Sequence, residues 1–116
     1  MTTKTDKSGA PVEVRVTPEN DAFGIYVDGA SEPAGRTYFI DNGTDRIYYH
    51  TVVGDEFGGR GLAGILVESA LEETRNQGLT VIPLCPYVRA WIPKHNWDGP
   101  VRTPESSDIA IVKGKA

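Results

Sequence analysis

The stretch His50-Thr-Val-Val-Gly-Asp-Glu-Phe-Gly-Gly-Arg-Gly-Leu-Ala-Gly-Ile-Leu-Val67 decides the fold. It changes character twice. Its first residues continue a β-branched and aromatic run that begins at Arg46 and reads as a strand. Its middle, Phe57 to Gly64, is glycine-rich. Beyond it, Ala63, Leu66, Val67, Ala70 and Leu71 recur at spacings of three and four, the apolar stripe of a helix. Glu68, Glu72, Glu73 and Arg75 fall largely on the opposite face, and Gly78 stands where a helix-ending glycine belongs. Residues 79–85 then read as an apolar strand. Strand, helix, strand in this order implies a parallel pair joined by a right-handed crossover.

Upstream, the links are short and the strands pair antiparallel. Val12-Glu-Val-Arg-Val16 alternates apolar and polar residues, a strand with one buried face. Residues 23–27 read as a second strand closed by Asp28-Gly29. Residues 38–40 are the centre of a third, and Asp41-Asn42-Gly43 is a turn into the strand at 46–53. Together these four form an antiparallel meander. Downstream, Pro86 suits the first turn of a helix running to about Trp91, Pro93 ends or kinks it, and residues 108–112 read as a short closing strand. The expected class is α+β: a meander of about four strands, then a strand-helix-strand crossover and a further helix. Residues 1–11 read as a flexible tail and residues 12–116 as one domain.

Composition narrows the functions. The 116 residues are 39% hydrophobic and 24% charged, enough for one modest core. Twelve basic against sixteen acidic residues give a formal charge of −4, which argues against nucleic acid as a partner. No apolar run reaches membrane-spanning length, and the polar start lacks a signal-peptide core. The lone Cys85 cannot form an internal disulfide. A cytoplasmic protein, monomeric or a small homo-oligomer, is the expectation. Two histidines and one cysteine, widely spaced, do not make a metal site.

A glycine-rich turn between a strand and a helix has a physical use. The first backbone N–H groups of the helix are unpaired, and its dipole adds partial positive charge. Glycines let the chain approach a phosphate closely. Gly58-Gly59-Arg60-Gly61 is placed to do this, with Arg60 adding a formal charge. The Gly-Lys-Ser/Thr ending of a nucleoside-triphosphate loop is missing. Nor does the loop open a first βαβ unit, as a dinucleotide fingerprint would. Alternatively, the glycines serve only a tight connection. The loop alone leaves both readings open.

The wider run resembles motif A of the GCN5-related N-acetyltransferases. There a strand leads into a Gln/Arg-x-x-Gly-x-Gly/Ala loop that cradles the pyrophosphate of coenzyme A. The match lies on residues 58–63, with Gly61 and Ala63 at the two small positions and Gly58 in place of the usual Gln or Arg. The later run Gly78-Leu-Thr-Val-Ile-Pro-Leu-Cys-Pro-Tyr-Val88, continuing to Lys94-His95, is similar to the short, minimal subfamily. Members of that group carry a His-Thr pair before the loop and a Cys-x-Phe/Tyr-Val segment after the crossover. Most of the superfamily places two helices between the first two strands. The link 17–22 is too short for them, so the acceptor side of the cleft should be open.

The resemblance implies acetyl-CoA as cosubstrate, held by Thr51, Val52, Val53, Gly58, Gly59, Arg60, Gly61, Leu62 and Ala63. It also implies that backbone amides of about residues 51–53 polarise the thioester carbonyl. Cys85, at the end of a parallel strand and before a helix, is either a group beside the thioester with an activated thiol or a small buried hydrophobe. His50 either accepts the amine proton or is a structural histidine bonded to a carbonyl. Tyr87 stands where a tyrosine of many superfamily members protonates the departing thiolate, although Phe also fills that place in the subfamily. His95 and Lys94 read as surface or coenzyme-rim residues. The implied function is acetyl transfer to a primary amine, of a small molecule or a protein lysine or N-terminus, by direct attack in a ternary complex. The alternative is a coenzyme-A-binding regulatory module with little transferase activity. The acidic net charge slightly favours cationic acceptors.

Overall fold

Val12 and Val14 are buried while Glu13 and Arg15 are not, so the alternation of this segment is honoured in strand β2, Pro11–Val16. The computed structural model describes residues 2–54 and 61–115, with the side chains of 2, 3 and 115 left aside. In chain order the described elements are β1 (Thr2–Thr5), β2, β3 (Ala22–Val27), β4 (Gly35–Asn42), β5 (Asp45–Val53), α1 (Leu62–Asn76), β6 (Thr80–Pro83), α2 (Pro86–Lys94) and α3 (Ser106–Lys115). One mixed sheet runs β1-β2-β3-β4-β5-β6. Its first four pairings are antiparallel, and β5 pairs β6 in parallel across the α1 crossover. This is the α+β arrangement that the sequence implied.

Helix α1 lies on one face of the sheet, called the inner face below. Leu62, Leu66, Val67, Ala70 and Leu71 are buried there against Phe23, Ile25, Phe39 and Tyr48. Leu62, not the half-buried Ala63, begins the buried stripe. The Tyr48 hydroxyl donates to the Ala70 carbonyl at 3.1 Å and meets the Thr74 hydroxyl at 2.7 Å, which satisfies it inside the core. Gly78, at φ 75°, lets the chain turn out of the helix.

Two local expectations give way. The segment read as a flexible tail carries β1, which adds an edge strand against β2. Asp6 pins the following turn by accepting from the N–H groups of Ser8 and Ala10. Residues 108–112, read as a strand, lie in α3. Asp108 explains the change: its carboxylate reaches back to the N–H of Glu105 at 2.7 Å, closing the helix start, and takes two bonds from Arg102. Helix α2 also runs past Trp91 to Lys94, with Pro93 in its last turn. The sheet is extended only by a single parallel bridge from Val81 to Val101.

Asp108 is buried, and Arg102 holds its carboxyl below the usual carboxylate range, against the opposing effect of burial. A lowered folded-state value stabilises the fold above the unfolded value of about 3.9 and is lost as the pH falls through the folded one. Asp108→Asn should therefore melt on the order of 5 °C lower than the parent chain at pH 7. The gap should narrow below about pH 3.9. Thermal denaturation across pH 7 to pH 2 checks this; an unchanged gap along the acid limb would show that the pair carries no proton linkage.

Candidate active site

The sheet opens at one place. The β5–β6 register runs from Asp45↔Thr80 to Tyr48↔Pro83 and stops, while β5 continues to Val53. The N–H of Cys85 still reaches the Tyr48 carbonyl at 2.8 Å, and the chain then turns into α2. Cys85 is the N-cap of that helix, and Pro86 takes its first position. Past Tyr48, β5 borders a gap on its β6 side. Gly54 donates its N–H to Ala34, toward β4. Alternation along an extended strand then turns the N–H groups of Thr51 and Val53 the other way, into the gap.

The β4–β5 register decides which side chains face which way. Tyr38 pairs with His50 but Phe39 pairs with Tyr48, so Tyr49 is an extra residue, a bulge. Thr51 thereby joins Tyr48 on the inner face. The Cys85 thiol donates to the Thr51 hydroxyl at 3.2 Å, and that hydroxyl meets the Thr37 hydroxyl at 2.9 Å. Cys85 is 3% exposed. The strand read as 79–85 ends at Pro83, so Cys85 stands two residues past it as the N-cap of α2, and a thiol open at the cleft surface is not what the structure has. Its surroundings fit both the cleft-lining and the small-hydrophobe readings.

His50 and Val52 lie on the other, outer face with Tyr38 and Tyr49, around an open groove of about 520 Å³. His50 is exposed and stacks on Tyr38 with ring centroids 5.9 Å apart. It forms no hydrogen bond among the described residues, so the carbonyl-bonded structural histidine is not found. The tight 17–22 link, closed by Thr17 N–H to the Ala22 carbonyl, carries no helix; Thr17, Tyr26 and Pro33 close over Gly24 of β3, and the outer face is open at its β4–β5 end, where His50 and Val52 are exposed.

Gly61 is the N-cap of α1, at φ 75°. A non-glycine residue there would be strained, and a Cβ would come within 3.1 Å of the Lys7 side chain. Among the described residues no side chain caps α1, and no acidic residue stands in its first turn, so nothing there offsets the positive end of its dipole. Leu62 is buried in the core, so only its backbone can face a ligand. Gly58, Gly59 and Arg60 lie outside the described residues. Tyr87 is partly exposed at the start of α2, with its hydroxyl toward Gly64 of α1. Partial burial pushes that hydroxyl up from its ordinary value. From Gly61 a groove of about 510 Å³ runs along α1, walled by Gly64, Glu68, Trp91, His95 and Trp97. Glu68 is paired with Lys4, and Glu72 with Arg75 and the Trp97 indole. His95 bonds the Trp91 carbonyl and stacks on its ring, a surface role as read.

The structure thus brings Thr51, Val53 and Cys85 to one edge, His50 and Val52 to its outer side, and Gly61 and Tyr87 to the α1–α2 side. Sequence reasoning missed Thr37 and Lys7. Thr37 is one polar residue in an alternating strand, and Lys7 lies in a segment with no packing signal. Among the described residues no cluster could hold a metal ion, and no helix is long and apolar enough to cross a membrane.

Comparison with known proteins covers this region. A family model described as GCN5-related N-acetyl-transferase matches residues 22–99. Among solved structures, the solution structure of a GCN5-like protein from Staphylococcus aureus superposes with a TM-score of 0.59. It is 21% identical, over 80% of this chain and 90% of that one, a likeness that carries the fold. No curated protein matches the chain significantly.

Proposed function

The chain belongs to the GCN5-related N-acetyltransferase family, and from that premise we propose that it transfers the acetyl group of acetyl-CoA directly to a primary amine. The observation that carries this reading is the parting of β5 from β6 beside Cys85, which leaves the N–H groups of Thr51 and Val53 without a strand partner. Two such donors suit a thioester carbonyl whose oxygen gains charge during attack. The uncapped start of α1 at Gly61, together with the adjoining segment 58–60, suits the pyrophosphate.

The chemistry follows from these positions. The amine nitrogen attacks the carbonyl carbon while Thr51 and Val53 hold the oxyanion. The carbon–nitrogen bond forms, the carbon–sulfur bond breaks, and Tyr87 protonates the departing thiolate. His50, on the outer side of the same edge, takes the proton lost by the amine. Cys85 lines the gap and holds Thr51 in place through its hydrogen bond.

Release of coenzyme A that depends on an added amine tests the proposal. Binding of acetyl-CoA without such release would favour the regulatory coenzyme-binding module. A second expectation concerns Cys85. Because it is buried, a thiol reagent should modify it at less than about a tenth of the free-cysteine rate, and more slowly still under saturating acetyl-CoA. A saturating coenzyme that leaves the rate unchanged would put Cys85 outside the site.

A further inference from the structure

From the outer face of the sheet, and resting on the transferase reading above, we propose that the acceptor is a small primary amine carrying a carboxylate, a free amino acid, with Arg36 as its anchor. The approach comes first. On the inner side Cys85 is buried against Thr51, and the groove that runs from Gly61 along α1 is the side read for the coenzyme. The way left to an attacking amine is the outer face, where His50 and Val52 are exposed around the 520 Å³ groove.

The charges on that face then select the ligand. The register puts Arg15, Gly24, Arg36 and Val52 in one row across β2 to β5, with Tyr38 and His50 in the next. Arg15 is engaged: it bonds Glu13 at 2.6 Å and lies 3.7 Å over the Tyr26 ring. Arg36 makes no hydrogen bond or ion pair among the described residues and is half-buried, with Pro33, Tyr26 and Thr17 closing over Gly24 on its β3 side and Val52 on its β5 side. Diagonal positions on one sheet face lie roughly 7–8 Å apart, so a guanidinium at Arg36 and a base at His50 can address two groups of one small molecule. A single guanidinium matches one carboxylate with two parallel bonds. Its fixed charge also favours the neutral, nucleophilic form of an amine beside it.

This reverses the bias read from the net charge of −4. Charges elsewhere on the surface act through about 8 Å of screening at physiological salt, whereas Arg36 pairs across the ladder with Val52 of the groove wall. A polyamine or lysine-rich peptide would set its second positive charge against it.

The test pairs free amino acids with their carboxamides and with the corresponding decarboxylated amines, following coenzyme A release by the parent chain, Arg36→Gln and Arg36→Lys. Calorimetry with acetyl-CoA and thermal melting run alongside. The expected result is a kcat/KM for an amino acid about 10-fold or more above that of its carboxamide. That preference should fall to near unity in Arg36→Gln and be partly kept in Arg36→Lys, with coenzyme affinity and melting temperature held. Carboxamides or simple amines turned over as well as the acids would overturn the proposal. So would a preference that survives Arg36→Gln, or turnover of none of the three classes. Only the loss of acetyl-CoA binding by the parent chain would strike the coenzyme reading itself.

Discussion

Val53→Pro is expected to leave the sheet folded and to lower kcat by about 10²–10³-fold, the usual effect of losing one oxyanion donor. Proline removes a single N–H. At Val53 that N–H points into the gap, so the β4–β5 ladder keeps its bonds, and an edge position tolerates the ring. Val52 is the control. Its N–H faces Arg36 across the ladder, so Val52→Pro breaks a pairing bond and should destabilise the chain. Circular dichroism and turnover on both variants decide the matter. Equal activity in Val53→Pro and the parent would remove this amide from the chemistry. Equal unfolding of both variants would show that the two N–H groups do not differ in direction.

Saturating acetyl-CoA is expected to raise the melting temperature by about 10 °C at a hundredfold excess over Kd. The ligand binds the native state and not the unfolded chain, because the site needs the Gly61 helix start and the β5 edge together. No shift at millimolar acetyl-CoA, with calorimetry also flat, would leave the fold without its coenzyme.

Much of this was legible before the structure. The strand, glycine turn and helix around residues 50–67 obey local rules: β-branched residues, then glycines, then a stripe at spacings of three and four. Their order implied the parallel pair and brought Cys85 to the turn that follows it. What escaped depended on distant or single-residue events. Residues 108–112 read as a strand because Ile109-Ala-Ile-Val112 is apolar and largely β-branched. They are helical because Asp108 meets Arg102 and the Glu105 N–H, a contact absent from any apolar pattern. Thr2–Thr5 has no apolar periodicity and becomes a strand by borrowing the edge of β2.

The site shows the same limit more sharply. Plain alternation along β5 would put His50 on the face of Tyr48, inside, and Thr51 outside. The extra residue at Tyr49 reverses both. That bulge exposes His50 on the outer face and swings Thr51 against Cys85 and Thr37. The family resemblance carried the residue types, but their division between the inner and outer faces depends on one inserted position. The place of Arg36, opposite Val52 and diagonal to His50, follows from the register alone.

The central claim is tested most directly by incubating the chain with acetyl-CoA and a panel of primary amines and following both products by mass spectrometry. The account predicts an acetylated amine and free coenzyme A formed one for one, with no lasting acetyl group on Cys85. Acetyl-CoA that binds yet yields neither product with any amine would contradict it.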